Sequence, residues 1–199
     1  YDRRMSLIAC SDAPSSETLR GLRLGTVSYL NTAPLNYGIE SHLHSAPPAE
    51  LARRMAHGEL DGAVLSVTEV FDQPNLSILD GVAIACDGPV YSVYLASRGA
   101  LEDGATIYCD VASRTSVRLL ELMLAERGVD VILRPSSSWT GAALPDHFLL
   151  IGNPAIEQRR AGLPHHNVLD LGAEWKRLTG LPFVFAVWAL RSERFTASA

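Results

Sequence analysis

The stretch Leu24-Gly25-Thr26-Val27-Ser28-Tyr29-Leu30-Asn31-Thr32-Ala33-Pro34-Leu35 constrains this chain more than any other. Leu24, Val27 and Leu30 supply the apolar content of a short strand that runs straight into a helix start. Asn31 or Thr32 is a natural N-cap there, and Pro34 falls in the first helical turn, where its missing N–H costs nothing. Polar atoms therefore collect at the carboxyl end of the strand. In an open α/β sheet that end opens on the ligand crevice, and a helix N-terminus offers free N–H groups and partial positive charge to an anion.

The same unit recurs along the chain. Residues 60–66 read as a buried strand ending in the Ser66 hydroxyl. Residues 106–109 form a strand that leads to Ser113, Arg114, Thr115 and Ser116, and then to a helix. In that helix Val117, Leu120 and Leu124 stand at i, i+3 and i+7, and Gly128 stops it. One hydroxyl suffices for capping, so the surplus at 113–116 favours an anion site. Phe148-Leu149-Leu150-Ile151-Gly152 is a further strand, running into Asn153 and Pro154 as a second cap-and-proline start. The pattern predicts an α/β fold with its polar tips gathered in one place.

Two Gly-Pro exits divide the chain. Residues 78–97 are strand-like but broken at Cys86-Asp87-Gly88-Pro89, and Gly180-Leu181-Pro182 precedes the strand 183–190, rich in aromatic and β-branched residues. The expected organisation is a polar leader over 1–20, a first lobe over 21–96 plus 183–199, and a second over 97–182. Residues 47–58 form an amphipathic helix with His57 in its last turn, a dipole-complementing position.

Composition narrows the function classes. A net charge of -5 with both signs interspersed argues against a nucleic-acid partner. No apolar run reaches the roughly eighteen residues of a membrane span. Cys10, Cys86 and Cys109 are an odd number without ligand spacing, which points to a reduced, cytoplasmic setting. The adjacent His165 and His166 lack a spaced third ligand, so no metal site and no cofactor are expected.

Ser28-Tyr29-Leu30-Asn31-Thr32 with Pro34-Leu35 resembles the opening motif of the chorismate dehydratase family of the futalosine route to menaquinone. The resemblance continues in order through Gly58-Glu59-Leu60-Asp61, Cys86-Asp87-Gly88-Pro89-Val90 with Ser92, Ser113-Arg114-Thr115-Ser116-Val117, Leu150-Ile151-Gly152, Asp170-Leu171-Gly172 and Thr179 to Ala186. It covers residues 22–191 and departs at Asn153, where the family usually carries Asp. Family members also continue past the return strand, so the chain reads as C-terminally shortened.

The resemblance implies a two-lobed type II periplasmic-binding-protein-like α/β fold with a central cleft. It also implies a lyase that dehydrates chorismate, a dicarboxylate, to 3-[(1-carboxyvinyl)oxy]benzoate in menaquinone biosynthesis. Removing the hydrogen at ring C3 gives a dienolate that expels the 4-hydroxyl, so the enzyme must stabilise charge, orient the leaving group and provide a base. No His or Lys lies in the matched motifs. The substrate's own side-chain carboxylate is then the expected proton acceptor, with Asn31 and Ser92 as the catalytic pair that positions it and the hydroxyl. Asp87 is the alternative base. The expected binding set is Ser28, Tyr29, Thr32, Ser66, Gly88, Pro89, Ser113, Thr115, Ser116 and Asn153. Two rival readings are a non-catalytic anion receptor of the same fold and the dihydroxynaphthoate synthase of the same pathway.

Overall fold

The computed structural model describes residues 19, 21–137, 144–163 and 165–195. The expected leader over 1–20, Cys10 within it, and the tail beyond 195 lie almost wholly outside the described residues. The first part of the chain forms β1 (Leu24–Thr26), α1 (Ala33–Asn36), β2 (Leu43–Ser45), α2 (Pro48–Ala56), β3 (Gly62–Ser66), α3 (Val67–Phe71) and β4 (Leu76–Cys86). The middle forms β5 (Val93–Ser97), β6 (Ala105–Asp110), α4 (Arg114–Glu126), β7 (Val131–Ser136), β8 (His147–Ile151), α5 (Gly152–Ala161), β9 (Asn167–Asp170) and α6 (Leu171–Thr179). The chain then returns in β10 (Phe183–Arg191) and a last turn, α7 (Ser192–Phe195).

These strands make two five-stranded sheets, ordered β2-β1-β3-β10-β4 and β7-β6-β8-β5-β9. In the first, β1, β2 and β3 run parallel and β10 is antiparallel to both its neighbours. In the second, β6, β7 and β8 run parallel and β5 is antiparallel to β8 and β9. Each antiparallel insert is the first strand laid down after the chain crosses between sheets. This is the two-sheet α/β arrangement that the resemblance implies.

The first crossing falls earlier than the sequence suggests. A boundary after Ala96 would leave 93–96 with the first lobe, but β5 pairs residue for residue with β8, from Val93 opposite Ile151 to Ser97 opposite His147. All five β5 residues are buried, so this strand is an interior member of the second sheet. The turn at Gly88-Pro89 is the point of departure, and nothing of the first sheet follows it until β10.

Each sheet has its own core. Leu51 and Met55 from α2 pack with Leu60, Leu65 and Val187 in the first; Leu119, Leu120 and Met123 from α4 pack with Ile107, Leu149 and Leu171 in the second. Phe185 belongs to the second cluster although its strand pairs in the first sheet. Edge-to-face contacts from Trp175 to Phe183 and from Phe183 to Phe185, at 5.2 and 4.7 Å, continue this stitch along the returning strand. Where α6 meets the first crossing the approach is closer still: a Cβ on Gly172 would stand 2.5 Å from the Gly88 carbonyl oxygen.

Two buried carboxylates anchor the sheets electrostatically. Asp61 accepts hydrogen bonds from the Arg23 backbone N (2.9 Å), Nε (3.1 Å) and Nη2 (2.8 Å). Those bonds hold its carboxyl down at about 2. Glu174, bonded by Arg177 and then by Arg127, is likewise lowered to about 2. A carboxyl whose folded value is depressed contributes stability above its unfolded value of about 4, lost as pH falls towards the folded value. Denaturant titrations from about pH 5 to about pH 2 should therefore show a steadily falling unfolding free energy. Asp61→Asn should start lower at neutral pH and show a shallower decline.

Candidate functional site

A cleft of about 700 Å³, including space open to solvent, lies between the two sheets. The segment after β1 contributes Val27, Tyr29 and Asn31, the end of β3 contributes Ser66, and the first crossing contributes Val90 and Ser92. The same space is lined by Ser113 to Ser116 at the start of α4, Ile151 and Gly152 where β8 enters α5, and Phe185 on β10. The tips after β1, at Ser66 and at Ser113 thus converge on one space.

Of the expected residues, Tyr29, Asn31, Ser66, Ser92, Ser113, Thr115 and Ser116 line this cleft. Ser28, Thr32, Gly88, Pro89 and Asn153 do not, each for a local reason. Ser28 Oγ pairs with Ser45 Oγ at 2.5 Å on the exposed side. Thr32 is buried, its hydroxyl donating to the Val27 and Tyr29 carbonyls at 2.9 and 2.6 Å. It locks the turn from within. Gly88 is packed under α6 and Pro89 is exposed beside it. Asn153 is exposed in the first turn of α5, which begins one residue earlier at Gly152 with Ile151 in the cap position. Asp87 bonds Lys176 Nζ at 2.6 Å and is well exposed, away from the cleft.

The anion site expected at Asn31 and Thr32 also changes character. A single 3-10 turn over Leu30–Thr32 leads into the four residues of α1, and neither its preceding residue nor Thr32 makes a side-chain cap bond. So short an element carries little dipole. The start of α4 is different: thirteen residues long, it presents a real N-terminus to the cleft. Ser113 at its cap position is 3% exposed, and its Oγ has no hydrogen-bond partner among the described residues. Thr115 Oγ1 instead donates to the Phe185 carbonyl at 2.9 Å and meets Ser66 Oγ at 2.5 Å, bridging the two sheets across the cleft floor.

Among the described residues lining the cleft, the side chains that can carry charge are Tyr29 and Arg114. Burial pushes the Tyr29 phenol up, and the Asp110 charge adds to the shift. Asp110 is itself raised by burial, against the lowering effect of the hydrogen bond it accepts from the Ala112 N–H. His57 bonds the Arg53 carbonyl at 2.8 Å and His166 the Pro145 carbonyl at 3.0 Å, both structural contacts. Among the described residues no three His, Cys, Asp or Glu side chains converge as a metal site, and no helix is long and apolar enough to cross a membrane.

The sequence profile described as menaquinone biosynthesis matches residues 22–198. The chain belongs to the menaquinone biosynthesis family. A chorismate dehydratase of Thermus thermophilus is 37% identical over 195 aligned residues, covering 88% of this chain and 72% of that relative. Among solved structures, an Archaeoglobus fulgidus protein is similar with a TM-score of 0.63 at 18% identity, over 85% of this chain and 67% of its own. A Parabacteroides distasonis ABC transporter is similar at 0.57 and 15%, over 88% and 67%. These two likenesses carry the fold alone.

In this family member the position of Ser92 depends on Asp170, a residue of the matched motif Asp170-Leu171-Gly172 to which the sequence assigns no role. Asp170, the N-cap of α6, accepts from Ala173 N at 3.0 Å and also from Val90 N and Tyr91 N of the first crossing at 3.0 and 2.8 Å. Tyr91 adopts φ 62°, costly for a side chain of its size, and Ser92 N closes back on the Val90 carbonyl at 2.6 Å. Arg159 holds this turn from outside, stacked 4.4 Å from the Tyr91 ring centroid and donating to its carbonyl. An Asp opening a helical segment was the available signal for the cap, but its bonds to residues eighty positions earlier leave none. Charge-assisted bonds contribute about 1.5 to 3 kcal/mol each, so Asp170→Ala should lower the unfolding free energy by about 3 kcal/mol or more in denaturant titration.

Proposed function

We propose that this chain is a chorismate dehydratase, a carbon–oxygen hydro-lyase that converts chorismate to 3-[(1-carboxyvinyl)oxy]benzoate and water in menaquinone biosynthesis. The family assignment and the 37% identical dehydratase over most of the chain support this reading. The structural observation that carries it is the chemistry of the cleft. A long helix N-terminus and an unpartnered buried hydroxyl await an anion there, and no described lining residue is a carboxylate or an imidazole. The free thiols of Cys86 and Cys109 support a cytoplasmic setting.

On this reading one substrate carboxylate rests at the start of α4, bonded by Ser113, Ser116 and the free backbone N–H groups of the first turn. The other, on the enolpyruvyl side chain, lies over the ring and takes the C3 proton. The C–H pair moves into the ring, conjugated to the ring carboxylate, and the C4–O bond breaks. Hydroxide departs with the abstracted proton as water, and the ring becomes aromatic. Asn31 and Ser92 hold the side-chain carboxylate and the leaving hydroxyl in line. The Ser66–Thr115 bond keeps both walls at a fixed separation while the reaction proceeds. A cleft whose described lining holds no carboxylate or imidazole suits a substrate that brings its own base.

Incubation with chorismate should yield a product lighter by one water in mass spectrometry. Asn31→Asp then tests the site, because Asp loses the amide donor and sets a like charge against a dianion. Turnover should fall about a hundredfold, the scale of losing one oriented donor, while the melting temperature stays within a few degrees. Undiminished turnover would remove Asn31 from the mechanism. Binding of chorismate without turnover in either form would favour the receptor reading.

A further inference from the structure

We infer that Arg114 is the cation that receives a substrate carboxylate, and that Glu69, reaching across from the other sheet, is the positioning residue that aims it. The inference rests on the dicarboxylate substrate proposed above and adds to it the residues that select for charge.

Arg114 stands between the cleft and an adjoining hollow lined by Glu69, Asp72 and Arg118, and it is the cation among the described residues lining the cleft, which otherwise offer only neutral donors to a ligand with two negative charges. Its place in the chain is unfavourable by helix rules. It is the first residue of α4, where the positive end of the helix dipole repels a cation and favours an acid. Helix stability therefore does not account for it, whereas an anion seated at the same helix start would meet guanidinium and dipole together. Beside it Ser113 Oγ is buried against the same cavity without a partner among the described residues. A carboxylate oxygen there would accept from that hydroxyl and relieve a buried, unsatisfied donor.

Glu69 supplies the aim. It sits on α3 of the first sheet, 9% exposed, and its Oε1 accepts from Arg114 Nη1 across the gap between the sheets. A guanidinium carries five N–H donors in a planar fork, so one edge bound by Glu69 leaves others free for a second carboxylate. A half-exposed arginine would otherwise sample many rotamers and lose that freedom on binding. The pair also ties the cleft's only described cation to both sheets at once, since Arg114 belongs to the second and Glu69 to the first.

The test is calorimetry with three probes. These are the product 3-[(1-carboxyvinyl)oxy]benzoate, its analogue lacking the ring carboxylate, and its analogue with the side-chain carboxylate replaced by methyl. Arg114→Gln should weaken the dicarboxylate about thirtyfold, the scale of one charge-assisted contact. One of the two monocarboxylates should bind wild type and variant alike, and it identifies the carboxylate that Arg114 receives. Glu69→Gln should lose about threefold to tenfold with the same ligand pattern, because it loosens the arginine without removing it. Should Arg114→Gln fail to fold, Arg114→Lys keeps the charge and loses the fork, and an intermediate loss for the dicarboxylate is expected.

Binding of the dicarboxylate to Arg114→Gln or Arg114→Lys within twofold of wild type overturns the inference. Equal losses for both monocarboxylates also overturn it, by making the arginine a structural bridge. If wild type binds none of the three probes, the dehydratase reading itself fails, and the inference with it.

Discussion

The two crossings between sheets run side by side, and the Asp170 carboxylate is what fixes them. It gathers three backbone N–H groups, two from the outgoing crossing and one from the helix that leads into the returning one. Cys86 at the end of β4 pairs with Phe183 at the start of β10, so the outgoing and returning chains leave and enter the first sheet at one point. Gly172 lets α6 close against that point with no room for a Cβ. A second sheet inserted through a single double-stranded junction has its orientation set there.

From this junction the cleft follows. The strained turn at Tyr91 puts Ser92 against the cavity, and the Gly152 N–H donates to the Ser92 carbonyl at 2.9 Å, tying the crossing to the start of α5. Phe185 then carries the returning strand into the second core, and its carbonyl accepts from Thr115 at the start of α4. Each wall of the cleft is thus held by a hydrogen bond to a crossing segment or to the strand that follows one. A side chain on either wall keeps its place only while both crossings do.

Charge among the described residues lining the cleft is sparse. Acidic groups stand close by but face elsewhere: Glu69 is engaged by Arg114 and Asp110 by the Ala112 N–H. The described lining is apolar around a few hydroxyls, one amide, one phenol and one guanidinium. Such a surface suits a flat, anionic ring whose faces need apolar contact and whose edges need donors.

The elements and the way they repeat are legible in the residues alone. Apolar runs, cap residues and Gly-Pro exits are local signals, and β3, β6, β8, β10, α2 and α4 stand close to where those signals place them. The ordered motifs named the family, because residue identity at several spaced points is more specific than any pattern of polarity. Short elements were less legible: β2, α3 and β9 have three to five residues each, too few for periodicity to register. The tertiary structure decided which tip residues face the cleft. Ser28 and Tyr29 are neighbours in the chain, yet one is paired with Ser45 outside while the other lines the cavity. Thr32 and Thr115 both looked like caps, yet Thr32 closes its own turn on the Val27 carbonyl while Thr115 reaches the Phe185 carbonyl that folding brings near. Only the fold joins Asp170 to Val90, or Glu69 to Arg114, because hydrogen bonds and ion pairs between residues tens of positions apart leave no mark on local composition.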